Sequence, residues 1–494
     1  MILLLYALCA VLALVLIAVS RTHRQLNSIA VGLGLFFCAI TGYILLYIPV
    51  PVETFTVGSG YFFIDHLGLF EVLIVAVIFV LAAIYARGYV ENLLASRELE
   101  TGSLKIFYAT WCLLELVIVL AFYSDNLALF WILAEMTTIM SAMLVAILSA
   151  KENIDAALKY IFVASVAMLI AFVGLIFLFE IARSTLGTGT LNWTILMQHA
   201  SAFPPGMLIA AFTLIFIGFA AKSGIFPFHT WLPEAHAKAP SAVSAVLSGV
   251  LLNVGIYGII RVFAIVHQTP AFTSITPLIL LFGIFSIAIA AFSMLPEKNL
   301  KKLIAFSSIE NMGILLVGLA IATPLAIFWV IFHVMAHSFT KASLFLSAGI
   351  LHRQYRSHLS ADAPDDIRDV FRFQPLAAWG LIIGGLAIIG MPPFMVFFSK
   401  FFILFSLGSV SPLVLALVLV IIFIATAALG YFVITAFTRT TPPGEPVDLV
   451  PYQTPISMKV PIVILLALIL VLGILFPAAG SSFIDHIVTE LMFS

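Results

Sequence analysis

Glu135, Lys222, Lys341 and Lys400 each lie inside a long apolar run, in the stretches FWILAEMTTIM, GFAAKSGIFPFHTWLPEAH, HVMAHSFTKASLF and PPFMVFFSKF. An ionisable side chain at the centre of a bilayer costs at least ~2.5 kcal/mol, which makes each of them a candidate for function. Glu71, Glu115 and Glu310 form a second rank. His333, His337 and Lys341 are spaced i, i+4, i+8, which places all three on one helix face over ~12 Å. A stacked row of groups that change protonation is what a proton relay requires. Lysine suits such a relay because its proton affinity responds strongly to desolvation and to a second cation. Glu135 beside a lysine would form a pair whose separation sets that affinity. Two cations ~6 Å apart interact by about 3 kcal/mol at an effective dielectric near 20. That corresponds to about two pKa units, enough to load or eject a proton.

Plainer roles stand beside these. A lone intramembrane carboxyl can serve only to hydrogen-bond a neighbouring helix, a reading that applies most to Glu71 and Glu115. Lys400 could snorkel from a helix end, although SKFFILFSL continues the apolar run beyond it. His333 and His337 could ligate haem, but two histidines on one face of one helix cannot bind a single haem from opposite sides. Cys9, Cys38 and Cys112 sit singly in apolar runs with no metal-binding spacing, as packing residues do. No metal site is expected.

The elements that must hold these groups follow from composition. The chain of 494 residues is 63% hydrophobic and only 9% charged, against about 25% charged in soluble domains. Its net charge of −1 gives no reason to expect a nucleic-acid partner. The fold class expected is all-α and integral to a lipid bilayer, since a spanning helix needs about 20 apolar residues. Fourteen such runs lie near 2–19, 28–50, 65–86, 105–122, 126–149, 157–182, 207–229, 241–266, 274–295, 300–321, 324–351, 375–408, 411–438 and 459–477. The first lacks a basic leader and a cleavage site, so it reads as a retained helix. Pro227 interrupts the seventh run, and Pro392 with Pro393 the twelfth. Proline removes a helix hydrogen bond, and broken helices deep in a membrane line protein or watery cavities. Two breaks, each close to a buried lysine, suggest two ion half-sites; a simple kink in a packed bundle is the other reading.

Most Lys and Arg residues fall in the loops after the odd-numbered runs, from Arg21 and Arg24 through Lys301 and Lys302 to Arg439 and Lys459, with Arg183 and Arg261 on the other side. The positive-inside rule puts the basic loops in the cytoplasm and both termini outside. The largest hydrophilic segment, 352–375, is too short for a soluble catalytic domain, and no glycine-rich phosphate loop is present.

The motifs FWILAEMTTIMSAMLV, KSGIFPFHTWLPEAHAKAPSAVSAVLSGVLLNVGIYGIIR, KKLIAFSSIENMG, HVMAHSFTKASLFLSAG and GMPPFMVFFSKF, spread over residues 60–440, resemble the antiporter-like membrane subunits of respiratory complex I, multisubunit cation/proton antiporters and membrane-bound hydrogenases. SSIENMG and LSGVLLNVGIYG are most similar to the hydrogenase-4 and formate hydrogenlyase type. The resemblance implies two inverted five-helix repeats, helices 4–8 and 9–13, with helices 7 and 12 broken. It divides the chain into N-terminal helices 1–3 (1–104), an antiporter-like core (105–440) and a final helix 14 (441–494), without the long lateral helix of the largest family members.

It also assigns roles. Glu135 is the fifth-helix glutamate that modulates a lysine, Lys222 the lysine at the first break, His333, His337 and Lys341 the central axis, and Lys400 the terminal exchange residue. His229 lies in the most specific block, HTWLPEAHAKAP. Where complex I subunits often carry an eighth-helix lysine or histidine, this chain has Ser248 and Asn253. A proton crossing there would need water, so a hydrated gap between helices 8 and 11 is expected, without direct side-chain contact. The implied function is proton translocation, or sodium/proton exchange, by a subunit of a membrane-bound hydrogenase-type complex in a prokaryotic plasma membrane. Its partners would be other membrane and peripheral subunits. The chain itself would hold no cofactor; iron–sulfur clusters and a nickel–iron site would belong to those partners. A complex I type quinone-linked subunit, an autonomous cation/proton antiporter and a structural anchor that no longer pumps remain as alternatives.

Overall fold

A backbone surrounded by lipid must satisfy its own N–H and C=O groups, and the chain does so with helices. The computed structural model describes residues 2–50, 60–355, 368–438, 440, 451–479 and 481–493. Its β pairings include two isolated bridges, Phe62 with Ser124 and Asn126 with Asn192.

The helices, in order, begin with α1 (Ile2–Val19), α2 (His23–Tyr47), α3 (His66–Ala95), α4 (Leu104–Phe122), α5 (Leu127–Val145) and α6 (Lys151–Leu186). A short α7 (Trp193–Gln198) precedes the interrupted pair α8 (Pro205–Lys222) and α9 (Trp231–Lys238). Then α10 (Ser241–Val246) runs through a π-helical turn, Leu247–Leu251, into α11 (Leu252–His267). The chain continues through α12 (Phe272–Met294), α13 (Leu300–Ile321) and α14 (Pro324–Gln354). After α15 (Val370–Phe373) a second interrupted pair follows, α16 (Pro375–Ile389) and α17 (Met395–Val410), then α18 (Pro412–Thr438), α19 (Ile456–Ala479) and α20 (Ser481–Met492).

Among the described residues thirteen helices are long and apolar enough to cross a membrane, and α16 and α17 are shorter apolar helices. These elements overlap the expected runs, with ends that differ by several residues: α2 starts at His23 rather than 28, and α3 runs to Ala95 rather than 86. Three differences stand out. Helix α6 extends well past 182, because Gly187 closes it in the left-handed conformation. The six-residue α7 and the twelve-residue, amphipathic α20 are too short to cross a membrane. Part of the hydrophilic segment 352–375 lies outside the described residues, as does Arg439.

Polar caps define several helix starts. Asp65 accepts from the Gly68 N–H at the start of α3, Asn126 from Ala128 and Leu129 at α5, Asn299 from Lys302 at α13, and Thr323 from Ala326 at α14, each serving an otherwise orphaned donor. The most apolar stretch of Ser241–His267 is completely buried and that of Pro324–Gln354 is 89% buried, whereas that of Pro412–Ile434 is 28% buried. Helices α10, α11 and α14 therefore form the centre and α18 the rim. Small residues permit the tightest crossing: a Cβ at Gly283 would meet the Gly313 carbonyl oxygen at 2.9 Å, and one at Gly313 the Gly283 oxygen at 2.7 Å, so α12 and α13 touch backbone to backbone.

Candidate functional site

The two interruptions share a local design. In each, a glycine with positive φ (Gly224, +65°; Gly390, +93°) ends one helical piece, and three residues later a proline (Pro227; Pro393) follows a cis bond. The left-handed backbone favours glycine at both places, and proline prevents the helix from resuming at once. Pro392 forms the other half of the second cis bond. The first break is pinned on three sides. The Trp231 indole donates to the Ala221 carbonyl at 3.0 Å, the Ser223 hydroxyl to the Leu252 carbonyl at 3.1 Å, and the Phe226 N–H to the Ser286 hydroxyl at 3.1 Å.

Lys222 is the last residue of α8, completely enclosed, and its ammonium donates to the Thr138 hydroxyl at 2.5 Å. Thr138 lies three residues beyond Glu135 on α5 and so shares its face. Glu135 accepts a hydrogen bond from Ser165 of α6; its other oxygen is buried without a partner. The sequence pairing of Glu135 with Lys222 thus takes the form of two neighbouring, separately bonded groups, with Thr138 on the lysine side.

The second break holds Lys400 differently. Its ammonium forms an ion pair with Glu310 of α13 at 2.9 Å and donates to the Ile388 carbonyl at 3.0 Å, in the last turn of α16. A cation there meets the negative end of the helix dipole. Both partners of the pair are buried, so Lys400 is not snorkelling, and Glu310, ranked second by sequence, is a direct partner.

The α14 row lies between these two sites. His333 shares a 2.7 Å hydrogen bond with Ser399, the residue before Lys400. Lys341 donates to the Ser307 hydroxyl at 2.8 Å and to the Ile304 carbonyl. His337, between them, is buried with neither ring nitrogen hydrogen-bonded. A further histidine joins this row: His236 of α9 is buried, unbonded at both ring nitrogens, and stacks on Phe345 of α14 with centroids 4.6 Å apart. The Lys341 ammonium is 5.6 Å from the centroid of the same ring. His236 therefore brings the first interrupted pair to the central row. Sequence reasoning chose His229 from the same block, yet His229 sits in a partly exposed turn against Phe226. The signal for His236 was present in WLPEAH, where a polar residue recurs in an otherwise enclosed short helix.

Ser248 and Asn253 are both fully enclosed. The Ser248 hydroxyl is 2.9 Å from that of Ser308 on α13. The Asn253 amide donates to Ser338 of α14 at 3.0 Å and to Glu71 of α3 at 3.1 Å. The expected gap without direct contact is thus corrected: the eighth crossing meets α14 side chain to side chain, because the neighbouring Gly249 lets α14 approach until a Cβ there would lie 3.0 Å from the Ser338 carbonyl oxygen. Glu115 of α4 is buried against α2 with neither oxygen bonded. Among the described residues no three His, Cys, Asp or Glu side chains group as metal ligands.

Comparison with known proteins places this arrangement. Residues 124–426 match the family described as NADH:quinone oxidoreductase/Mrp antiporter, transmembrane. The chain is 33% identical over 373 residues to a hydrogenase-4 component F homolog of Methylacidiphilum infernorum (isolate V4), covering 75% of this chain and 78% of that one. It is 31% identical over 396 residues to hydrogenase-4 component B of Escherichia coli (strain K12), covering 76% of this chain and 55% of that longer one. Its fold superposes with a TM-score of 0.85, at 21% identity and over 99% of this chain and 96% of the other, on a chain of the membrane-bound sulfane sulfur reductase, an archaeal respiratory membrane complex.

Proposed function

The chain belongs to the NADH:quinone oxidoreductase/Mrp antiporter transmembrane family, and on that premise we propose that it is the proton-translocating membrane subunit of a membrane-bound hydrogenase-type complex. The observation that carries this reading is the pair of buried lysines, each beside a helix break, together with buried titratable side chains on α9 and α14. Lys222 holds a proton against Thr138, with Glu135 on the same face of α5. Lys400 holds one against Glu310. His236, Lys341, His337 and His333 lie between them. Where two such groups lie a few ångströms apart, a change of charge at one alters the stability of charge at the other by several kcal/mol at an effective dielectric near 20. Redox chemistry would reside in partner subunits carrying iron–sulfur clusters and a nickel–iron site, and this chain would convert the electrostatic signal into proton movement, or sodium/proton exchange.

The similarity to hydrogenase-4 components supports the hydrogenase branch over a quinone-linked one. The repeated glycine-to-proline break supports two inverted repeats within a core of residues 105–440. The distribution of basic loops supports both termini outside, and the similarity to bacterial hydrogenase-4 components supports a prokaryotic plasma membrane. The deciding experiment is purification of the assembly through a tag on this chain, followed by identification of its subunits. A co-purifying nickel–iron subunit is the expected result. A quinone-reducing module in its place would move the chain to the complex I branch, and a chain that exchanges cations with no redox partner would make it an autonomous antiporter.

A further inference from the structure

Helices α3 and α11 carry a polar row that the lysine-to-lysine route leaves unused. On α11, Asn253, Tyr257 and Arg261 are spaced by four and share one face. Arg261 donates to Asp65, the cap of α3, at 2.6 Å and to the Tyr257 hydroxyl at 2.7 Å, while its guanidinium lies 4.0 Å from the Trp193 ring centroid. Glu71 stands six residues further along α3, about 9 Å by helical rise. It is 1% exposed. One carboxyl oxygen accepts from the Asn253 amide, which also donates to Ser338, the residue after His337. The other oxygen of Glu71 is buried and has no hydrogen-bond partner among the described residues. At the far end of the row, His66 is 2.5 Å from Glu490 of α20, and the His486 ring stacks on it at 5.0 Å. Polar and titratable side chains thus occur in three bonded groups from the centre of α14 to the start of α3: Ser338–Asn253–Glu71, Tyr257–Arg261–Asp65 and His66–Glu490.

Within this row the groups are unequal. Arg261 and Asp65 are bonded to each other as an ion pair. Asparagine does not change charge near neutral pH. Glu71 is a carboxyl with one oxygen held and one free, positioned between the α14 row and the Asp65–Arg261 pair. Were its role only to accept from Asn253, a glutamine would serve without the cost of an ionisable group in the membrane.

We propose that Glu71 is a proton-carrying group, exchanging protons between the α14 histidine–lysine row and the Asp65–His66 end of α3, with Asn253 and Ser338 fixing its carboxyl in place. In the transfer the Glu71 carboxylate gains a proton on its free oxygen and becomes a neutral acid, while the imidazolium or ammonium that releases the proton becomes neutral; passage onward restores the carboxylate. Under the proposed topology this branch opens on the outer side. The inference rests on the proton-translocating reading above.

The test compares Glu71→Gln and Glu71→Asp in the assembled complex, reconstituted in vesicles and driven by its own redox reaction, beside wild type and Lys222→Ala. A proton carrier predicts that Gln lowers proton transport by roughly a hundredfold at unchanged complex yield, while Asp, still titratable, retains most of it. A purely structural role predicts the reverse order, since Gln keeps the reach to Asn253 and Asp does not, and that order overturns the proposal. If wild type transports protons and Gln matches it, Glu71 is not a carrier and the wider function stands. If wild type itself transports none, both readings fall. Should the Gln variant not assemble, Asp decides: transport through an assembled Asp variant supports the proposal, and its loss refutes it.

Discussion

Replacing Thr138 with valine removes one hydroxyl from the Lys222 site and changes no charge. The ammonium of Lys222 donates to that hydroxyl at 2.5 Å, and no other hydrogen bond from it was found among the described residues. A hydrogen bond to a charged group contributes about 1.5–3 kcal/mol, and each 1.4 kcal/mol is about a factor of ten in an equilibrium constant. Loss of the bond should therefore reduce the population of protonated Lys222, and with it proton transport, by roughly tenfold to a hundredfold. Valine fills nearly the same space, so the α5–α8 packing and the yield of complex should hold. The assay is quenching of a pH-sensitive dye by vesicles containing the assembled complex, with Thr138→Ser as the control that restores the hydroxyl. Transport in Thr138→Val equal to wild type, at equal complex content, would refute the assignment of this hydrogen bond to the relay.

Further outcomes follow from the same geometry. Lys222→Ala and Glu135→Ala should each abolish ion pumping while leaving assembly largely intact, read as dye quenching against subunit content by gel; assembled variants that pump normally would contradict the site. Glu310→Ala leaves the Lys400 ammonium buried without its carboxylate, which costs about 3–5 kcal/mol, so the complex should melt at a lower temperature; Glu310→Gln combined with Lys400→Met should recover most of that stability but not transport. Asn253→Leu strips the Glu71 carboxyl of its donor, while Ser338 keeps its bond to the Val334 carbonyl, and should slow transport with a stability loss of about 1–3 kcal/mol for the carboxyl left unsatisfied. A reporter fused at Ser494 should be active only when it requires the outer compartment, and cytoplasmic activity would reverse the topology.

The membrane fold was legible because lipid imposes a length and an apolarity that few residues violate, and Lys222, Lys341 and Lys400 were legible because they violate it. The breaks were legible through Pro227 and Pro392–Pro393. What escaped were partners whose residue types are ordinary in membrane helices. Thr138, Ser165, Ser307 and Ser399 are small hydroxyl residues like many others along the chain, and only the crossing of helices reveals which of them meets a charge. Glu310 and Glu71 ranked low because a single carboxyl shows nothing of what faces it. His236 was passed over because it falls between the expected runs 207–229 and 241–266, where the structure has the short α9. Asn253 was expected beside water because an asparagine cannot itself pass a proton on, whereas its bonding partners come from α3 and α14, far away in the chain.

The central claim is that charge changes at Lys222 and Lys400 move protons across the membrane. It is tested most directly by reconstituting the complex purified through this chain into sealed liposomes with an internal pH dye, then starting the redox reaction of the partner subunits. Wild-type complex should build a pH gradient that an uncoupler collapses, while assembled Lys222→Ala and Lys400→Ala complexes should build none. A gradient of wild-type size from either variant would contradict the account.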